Sequence, residues 1–243
     1  MAHIGSYHQS QQSALSFSLS PSIKVGCNNV DLQTVVQLLE SAIEERHLLD
    51  HPFYRRWENG ELIPGELASY AGQYRHFEEH LPVALAGVAE MLPDGRARDL
   101  VLANLADEID GPVSHLELFD GFASAVDASA EVAGPAITAL IATYDRAQSL
   151  GAVAGLSAIA AYEMQASGVA ITKSQGLRDH YGVGDHGRSF WDLHGELEDD
   201  HARWTAEALS ELDDHDAIVA SAKDSADAWW AFLDEREAYA RSL

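Results

Sequence analysis

The chain has 243 residues, of which 47% are apolar, and its 39 acidic residues outnumber its 15 Lys and Arg residues to give a net charge of −24. This composition predicts one globular domain with a substantial core and excludes a disordered chain. The negative charge argues against nucleic acid and anionic membranes as partners, because both would repel the protein.

The cysteine content and the apolar runs indicate where the protein works. Cys27 is the only cysteine, which excludes an internal disulfide and a metal site built from several thiolates. The start of the sequence has no basic segment followed by an apolar run, and no stretch approaches the roughly 18 apolar residues of a membrane span. We therefore expect a soluble, cytoplasmic protein.

Apolar periodicity divides the chain into a leading extension and one helical domain. Residues 1–30 are rich in Ser and Gln and follow neither a helix nor a strand period, so we expect a disordered extension, with the domain spanning 31–243. Asp31 is the predicted N-cap of the first helix, and His51-Pro52 is expected to stop that helix. Further amphipathic helices are predicted at 64–91, 96–109, 115–126, 135–150, 151–177, 188–212 and 215–241. Because strand signals are scarce, the sequence predicts an all-α bundle of seven or eight helices.

The segment from Phe190 to His201 carries the most informative motif. On a helix, His194, Glu198 and His201 are spaced i, i+4 and i+7 and point within about 60° of one another. Two imidazoles and one carboxylate on the same face can bind a metal ion. The same spacing also arises by chance on a solvated face of an acidic protein with 12 histidines. The motif therefore needs support from other segments.

Two other segments supply that support. Glu108 ends one predicted helix and His115 begins the next after the Gly111-Pro112 break, so the two side chains can converge. Glu163 lies in a helix of small apolar residues, where a buried carboxylate is costly unless it is paired, protonated or bound to metal. Three carboxylates and three histidines favour iron or manganese, and they suffice for two ions in a helical bundle.

In these motifs and their order, the chain resembles the heme-oxygenase-like di-iron oxidases, which adopt a TenA/PqqC-like helical bundle. That family includes the CADD-type para-aminobenzoate synthases and several oxidases of amino acids and fatty acids. The likeness covers about 38–204. It is carried by His51-Pro52-Phe53-Tyr54, Trp57, Gly60, Leu62, Asn104-Leu105, Glu108, His115, Leu118-Phe119, Tyr162-Glu163, Gln165, Lys173, Gly176-Leu177, Tyr181-Gly182, Phe190, His194, Glu198 and His201.

The resemblance implies six metal ligands and an oxygen-dependent reaction. The implied ligands are Glu108, His115, Glu163, His194, Glu198 and His201. The implied cofactor is two Fe(II) ions, or a manganese–iron pair, with O₂ as co-substrate. Glu198 stands where the family usually has Asp, so its neighbours Asp199 and Asp200 remain alternative ligands.

Three further residues match a subset of that family. Tyr54, Tyr162 and Lys173 match residues that the para-aminobenzoate synthases use, in which a tyrosine is cleaved from the protein itself and a lysine donates nitrogen. A further tyrosine of those enzymes is Phe190 here, which weakens this part of the likeness. In the alternative interpretation, the two tyrosines are core residues and Lys173 extends towards solvent at a helix end.

Our first hypothesis is a non-heme di-iron oxidase or oxygenase that acts on a small amino-acid-like substrate. C–H abstraction would lead to desaturation, C–C cleavage or N-oxygenation. An external electron donor and a homodimeric assembly are both compatible with this hypothesis. The second hypothesis is a self-sacrificing para-aminobenzoate synthase that uses Tyr54 and Lys173. The third is a metal-free helical binding protein on the same scaffold.

Other clusters of polar and aromatic residues are interpreted as structural. His76, Glu78, Glu79 and His80 lie within the predicted 64–91 helix and are interpreted as a solvated face rather than as metal ligands. Most tryptophans are expected to pack in the core or between helices. These are Trp191, Trp204, Trp229 and Trp230.

Overall fold

The computed structural model describes residues 31–110, 112–212 and 214–240, without the side chains of residues 198, 215 and 240. All regular structure within these ranges is helical. The α-helices are α1 (Leu32–Ile43), α2 (Pro52–Glu58), α3 (Pro64–Met91), α4 (Arg96–Ile109), α5 (His115–Ala125), α6 (Pro135–Leu150), α7 (Ala152–Asp179), α8 (Asp185–Ser210) and α9 (His215–Ala240). None of them has both the length and the apolarity needed to cross a lipid bilayer. The predicted extension over 1–30 lies outside the described residues.

The start of the first helix agrees with its predicted cap. The Asp31 carboxylate accepts a hydrogen bond from the Thr34 N–H at 3.0 Å, which satisfies a backbone donor that the first turn leaves unpaired. Helices α3 to α9 begin and end within three residues of their predicted bounds. The predicted all-α architecture is therefore confirmed for the described part of the chain.

The His51-Pro52 step does not stop the first helix but starts a helix that the sequence analysis missed. Helix α1 ends earlier, at Ile43, and two short 3₁₀ turns follow within 44–50. Pro52 occupies the first turn of α2, where its missing N–H costs nothing, and the His51 ring accepts a hydrogen bond from the Phe53 N–H at 3.1 Å. The prediction was wrong because proline is compatible with the first turn of a helix, although it disrupts a helix interior.

Helix α7 is the central element of the bundle. It packs most extensively against α8 and α9 and also contacts α1, α2, α3 and α6. Its sequence is rich in Ala, Gly and Ser, so neighbouring helices can approach it closely from several sides. The polar side chains of α7 therefore lie at the centre of the molecule, among them Glu163 and Lys173, which are both buried.

Gly176 on α7 allows this helix to touch α2. A Cβ atom at Gly176 would lie 2.8 Å from Trp57 Cδ1 and 3.1 Å from the Trp57 carbonyl oxygen, which is closer than van der Waals contact. We expect Gly176→Ala to lower the free energy of unfolding by about 1–3 kcal/mol, because the buried Trp57 has no room to move.

The matched control for this substitution lies on the same helix. A Cβ atom at the exposed Gly168 would meet nothing closer than 3.7 Å. Gly168→Ala should therefore stabilise the protein by up to about 1 kcal/mol, the difference in helix propensity. Urea denaturation measures both variants, and equal stability of the two would contradict the tight contact between α2 and α7.

Candidate active site

Side chains from α4, α5, α7 and α8 meet in the interior of the bundle. We call them the candidate metal cluster, and each is at most 6% exposed. Its members are Glu108, His115, Glu163, His194 and His201. The structure thus brings together five of the six side chains that the sequence analysis proposed as ligands.

Glu108, His115 and His194 form the tightest part of the candidate metal cluster. One potential ligand atom from each lies within 4.8 Å of the others. Glu108 Oε2 is 2.8 Å from His115 Nδ1, and the His115 and His194 ring centroids are 4.6 Å apart. His194 Nδ1 donates to the Phe190 carbonyl oxygen at 2.8 Å. This hydrogen bond orients the ring and selects Nε2 as the nitrogen that can bind a metal ion.

His201 and Glu163 lie beside these three residues. His201 Nδ1 is 3.7 Å from Glu108 Oε1, while His201 Nε2 contacts Asp107 Oδ2 at 2.9 Å. A carboxylate on the second nitrogen is the usual device that orients a metal-binding imidazole. Glu163 Oε1 accepts a hydrogen bond from the Asn104 amide at 2.7 Å. Glu163 Oε2 is buried and has no hydrogen-bond partner among the described residues.

Burial dominates the electrostatics of the candidate metal cluster. Burial raises the pKa of Glu163, although the charge of His201 opposes this shift. Burial lowers the pKa of His194 to about 3, so this imidazole is neutral at pH 7. Burial also acts to raise the pKa of Glu108, but the hydrogen bond from His115 and the charges of nearby imidazoles lower this pKa below its usual value. A neutral imidazole, an ionised carboxylate and a buried oxygen without a partner together form a donor set that fits iron.

The two alternatives to Glu198 as the sixth ligand are both exposed. Glu198 belongs to α8, but its side chain lies outside the described part of the structure. Asp199 and Asp200 are exposed, and Asp200 pairs with Arg203 at 2.8 Å. The two alternatives therefore face solvent rather than the candidate metal cluster, and Glu198 stays the predicted sixth ligand.

A second polar group in the interior is a lysine enclosed by aromatic rings. Lys173 is 1% exposed, and its Nζ lies 3.9 Å from the centroid of the Trp191 ring and 4.8 Å from those of Tyr54, Tyr70 and Tyr74. The interpretation in which Lys173 extends to solvent is wrong, because α2, α3 and α8 cover its side chain with these rings.

Tyr70 connects Lys173 to Tyr54, and we call these three residues the tyrosine–lysine cluster. The Tyr70 hydroxyl contacts Lys173 Nζ at 2.5 Å and the Tyr54 hydroxyl at 2.9 Å. Burial raises the pKa of both phenols above the usual value. Burial lowers the pKa of Lys173 well below its usual value, against the charge of Glu78. The environment therefore favours an uncharged amine next to two uncharged phenols.

Tyr162 belongs to a separate pair rather than to the tyrosine–lysine cluster. Its hydroxyl forms a short hydrogen bond with the Tyr74 hydroxyl, and its ring stacks on Trp229 with 4.4 Å between centroids. Tyr74 in turn stacks on Tyr70 at 5.3 Å. Because Tyr162 directly precedes Glu163, this pair links the candidate metal cluster to the tyrosine–lysine cluster.

Glu78 is a buried carboxylate that the sequence analysis placed on a solvated face. It is 4% exposed, so that interpretation is wrong for this residue, whereas the other three members of its segment are at least partly exposed. Burial raises the pKa of Glu78, as does the charge of Glu108, while Lys173 opposes the shift. Glu78 lies four residues after Tyr74 and three before Leu81 on the apolar stripe of α3, a position that is compatible with burial but does not by itself decide it.

The sequence analysis also missed the roles of Asp107 and Tyr70. Asp107 contacts His201, and its only local signal was its position next to Glu108. Tyr70 lies on the apolar stripe of α3, which marks it as a core residue but does not indicate what its hydroxyl contacts. Both roles depend on contacts between helices that are distant in sequence.

Comparison with known proteins agrees with the donor set. Residues 68–234 match the family described as iron-containing redox enzymes. The 4-aminobenzoate synthase of Chlamydia pneumoniae is 31% identical over 207 residues, which cover 82% of this chain and 92% of that protein. The 4-aminobenzoate synthase of Nitrosomonas europaea is 34% identical over 221 residues, which cover 83% and 90%.

A solved structure gives the same fold. The CADD-like protein of unknown function from Nostoc punctiforme superposes with a TM-score of 0.73 at 14% identity, over 86% of this chain and 98% of that chain. This likeness confirms the predicted helical bundle fold. The length of the family match and the identity to the two synthases together establish that the chain belongs to the iron-containing redox enzymes with a heme-oxygenase-like fold.

Proposed function

We propose that this protein is a 4-aminobenzoate synthase that consumes its own side chains, with Tyr54 or Tyr70 as the source of the ring and Lys173 as the source of the nitrogen. The observation that carries the proposal is the enclosed contact between Lys173 Nζ and the Tyr70 hydroxyl at 2.5 Å, with Tyr54 next in the hydrogen-bond chain. The names of the relatives from Chlamydia pneumoniae and Nitrosomonas europaea support the same assignment.

The tyrosine side chain already contains most of the atoms of the product. Its ring becomes the ring of 4-aminobenzoate, and its Cβ is oxidised to the carboxyl carbon as the Cα–Cβ bond breaks. The nitrogen of Lys173 replaces the phenolic oxygen at the para position as the Cε–N bond breaks, and Cε gains a hydroxyl group in exchange, so this step needs no oxidant. In this proposal one dioxygen is the oxidant and takes the four electrons that leave the tyrosine, both oxygen atoms end in the carboxyl group, and Cα gains a hydrogen so that a glycine residue remains. An external electron donor supplies the electrons for any further dioxygen that is consumed.

The proposal includes two iron ions, or a manganese–iron pair, at the candidate metal cluster. Ligands of the first ion would be Glu108, His115 and His194, and those of the second Glu163, Glu198 and His201. Bound metal supplies the oxidising power for the reaction by activating dioxygen. The buried Glu163 Oε2, which has no hydrogen-bond partner among the described residues, supports a cation at this position, because a buried polar atom without a partner is costly.

The side chains of the tyrosine–lysine cluster orient the reacting groups and exclude water. An uncharged Lys173 has a lone pair that can bond to a ring carbon, and burial favours this state. The Tyr70 hydroxyl holds the amine in place, and the surrounding rings keep the cluster at most 1% exposed. Exclusion of water protects an oxidised ring from side reactions.

Isotope labelling of the protein tests the proposal. The protein is produced with ring-deuterated tyrosine and ¹⁵N-labelled lysine and is then incubated with Fe(II), a reductant and air in the presence of excess unlabelled free amino acids. We expect 4-aminobenzoate to carry both labels undiluted, and we expect peptide mass spectrometry to show a change at Lys173 and at either Tyr54 or Tyr70. Turnover of an added amino acid with these three side chains intact would instead favour the hypothesis of an external amino-acid-like substrate.

A further inference from the structure

The tyrosine–lysine cluster is closed to solvent, so a product formed there needs a route out. Tyr54, Tyr70 and Lys173 are each at most 1% exposed. Trp191 covers one side of Lys173, with its ring centroid 3.9 Å from Nζ. The same Trp191, together with Ser174, lines a groove of about 540 Å³ between α7 and α8 that opens to solvent. Trp191 therefore contacts both the buried amine and this groove.

Trp191 differs in its hydrogen bonding from two other buried tryptophans. Trp57 Nε1 donates to the Lys173 carbonyl oxygen at 3.2 Å, and Trp229 Nε1 donates to the Tyr144 hydroxyl at 2.9 Å. Trp191 Nε1 is buried and has no hydrogen-bond partner among the described residues. Buried donors without a partner are rare because they are costly. Rotation of the Trp191 indole thus breaks no hydrogen bond, whereas rotation of either of the other two would.

The groove combines an apolar wall with charges of both signs. The apolar lining consists of Ile171, which is 43% exposed, and Trp191, which is 1% exposed. Arg178 provides a guanidinium group, and Asp192 and Glu196 provide carboxylates. 4-Aminobenzoate is a flat ring with a carboxylate at one end and an amine at the other. Its ring matches the apolar wall, its carboxylate matches the guanidinium group and its amine can donate to the carboxylates. In a protein with a net charge of −24, a cation at the groove is needed to hold an organic anion.

We propose that this groove is the release site for 4-aminobenzoate, and that Trp191 is the movable partition between the groove and Lys173. The inference rests on the proposed function, because that function places the product on the inner side of Trp191. It adds a second position for the same molecule on the outer side, defined by Arg178, Asp192 and the indole.

Fluorine NMR with added 4-aminobenzoate tests the release site. The protein contains five tryptophans, which are replaced by 5-fluorotryptophan to give five ¹⁹F signals. The signal that disappears in Trp191→Phe belongs to Trp191. If Trp191→Phe does not fold, phenylalanine variants of the other four tryptophans identify the Trp191 signal by elimination. We expect 4-aminobenzoate to shift the Trp191 signal saturably and to leave unchanged the signal of Trp230, which packs against His51 on another side of the bundle.

Arg178→Gln and two analogues show whether the polar groups of the groove bind the ligand. Arg178 is half-exposed and already pairs with Asp179 at 2.8 Å, so its loss should weaken binding by a modest factor, about threefold. Benzoate and aniline each lack one polar group and should bind more weakly than 4-aminobenzoate. The inference is overturned if the Trp191 signal shows no saturable shift, or if Arg178→Gln binds as tightly as the wild type. This measurement needs no turnover, so its failure is distinct from failure of the labelling experiment.

Discussion

Lys173→Met is expected to abolish formation of 4-aminobenzoate and, at the same time, to raise the free energy of unfolding. Methionine has a similar length but no amine that must leave water on folding. The Tyr70 hydroxyl keeps its hydrogen bond to Tyr54 at 2.9 Å, so the substitution leaves no hydroxyl of this pair without a partner. We expect a gain of about 1–3 kcal/mol at pH 7, the usual cost of burying a polar group. A protein that becomes more stable as it loses activity would identify Lys173 as a functional group rather than a structural one.

The pH dependence of this gain tests the shifted pKa of Lys173. A lysine in the unfolded chain titrates near 10.4, as a rough value, and burial lowers the pKa of Lys173 in the folded protein well below that. Between the two pKa values the unfolded state binds more protons than the folded state, so the contribution of Lys173 to stability rises with pH. The stability advantage of Lys173→Met should therefore be largest at low pH and should shrink as the pH approaches about 10.4.

The matched control for Lys173→Met is Lys223→Met on α9. Lys223 is exposed, so the same chemical change should alter the free energy of unfolding by less than about 0.5 kcal/mol and should show no such pH dependence. Urea denaturation at several pH values measures both variants. Destabilisation by Lys173→Met, or a constant difference from the wild type across this pH range, would contradict a buried, uncharged amine. Product formation by Lys173→Met would exclude Lys173 as the nitrogen source.

Glu108→Ala is expected to remove iron binding from the candidate metal cluster. Glu108 lies 2.8 Å from His115 Nδ1 and 3.7 Å from His201 Nδ1, so a single carboxylate joins imidazoles from two other helices. In the wild type, Fe(II) at 100 times its Kd should add about 2.7 kcal/mol to the free energy of unfolding. For the wild type, elemental analysis after anaerobic loading should detect bound iron, and Fe(II) should raise Tm. For Glu108→Ala, we expect neither bound iron nor a rise in Tm.

Two further variants separate metal binding from general disruption. Asp107→Asn keeps the size of the residue that contacts His201 Nε2 at 2.9 Å, and it should lower iron affinity by about 10- to 100-fold, as expected for a group that orients a ligand. His76→Ala removes a partly exposed imidazole that contacts the Glu131 carbonyl, and it should leave iron binding unchanged. A wild-type protein that binds neither iron nor manganese would favour the third hypothesis, a metal-free binding protein.

The helices were largely predictable because their apolar residues repeat at helical spacing between proline and glycine breaks. Helix α3 shows this best, since Pro64 begins it and Pro93 follows its end at Met91. Helix α2 was not predicted, because its seven residues are too few to display a period and its first residue is the proline that was expected to end the preceding helix.

The candidate ligands were predictable to the extent that local rules apply to them. His194 and His201 share one face of α8 through helical spacing, and Glu163 was conspicuous as a charge within an apolar helix. Glu78 was missed because a carboxylate on an apolar stripe can be either exposed to solvent or buried with polar partners. Only the packing of α3 against its neighbours determines which of the two occurs. Asp107 was missed because its partner, His201, lies 94 residues away in sequence, so no local pattern indicates their contact.

By itself, the sequence determined the all-helical class, the bounds of the helices that show a clear period, and a set of carboxylates and imidazoles suited to iron. These features depend on spacing within one helix and on the chemistry of each side chain. Only the tertiary structure decided that Lys173 touches Tyr70 rather than solvent, that Tyr162 pairs with Tyr74, and that Trp191 contacts both the buried amine and a surface groove. The reason is that these contacts depend on how α2, α3, α7 and α8 are placed relative to one another, and close packing between helices, not any local pattern, sets that placement.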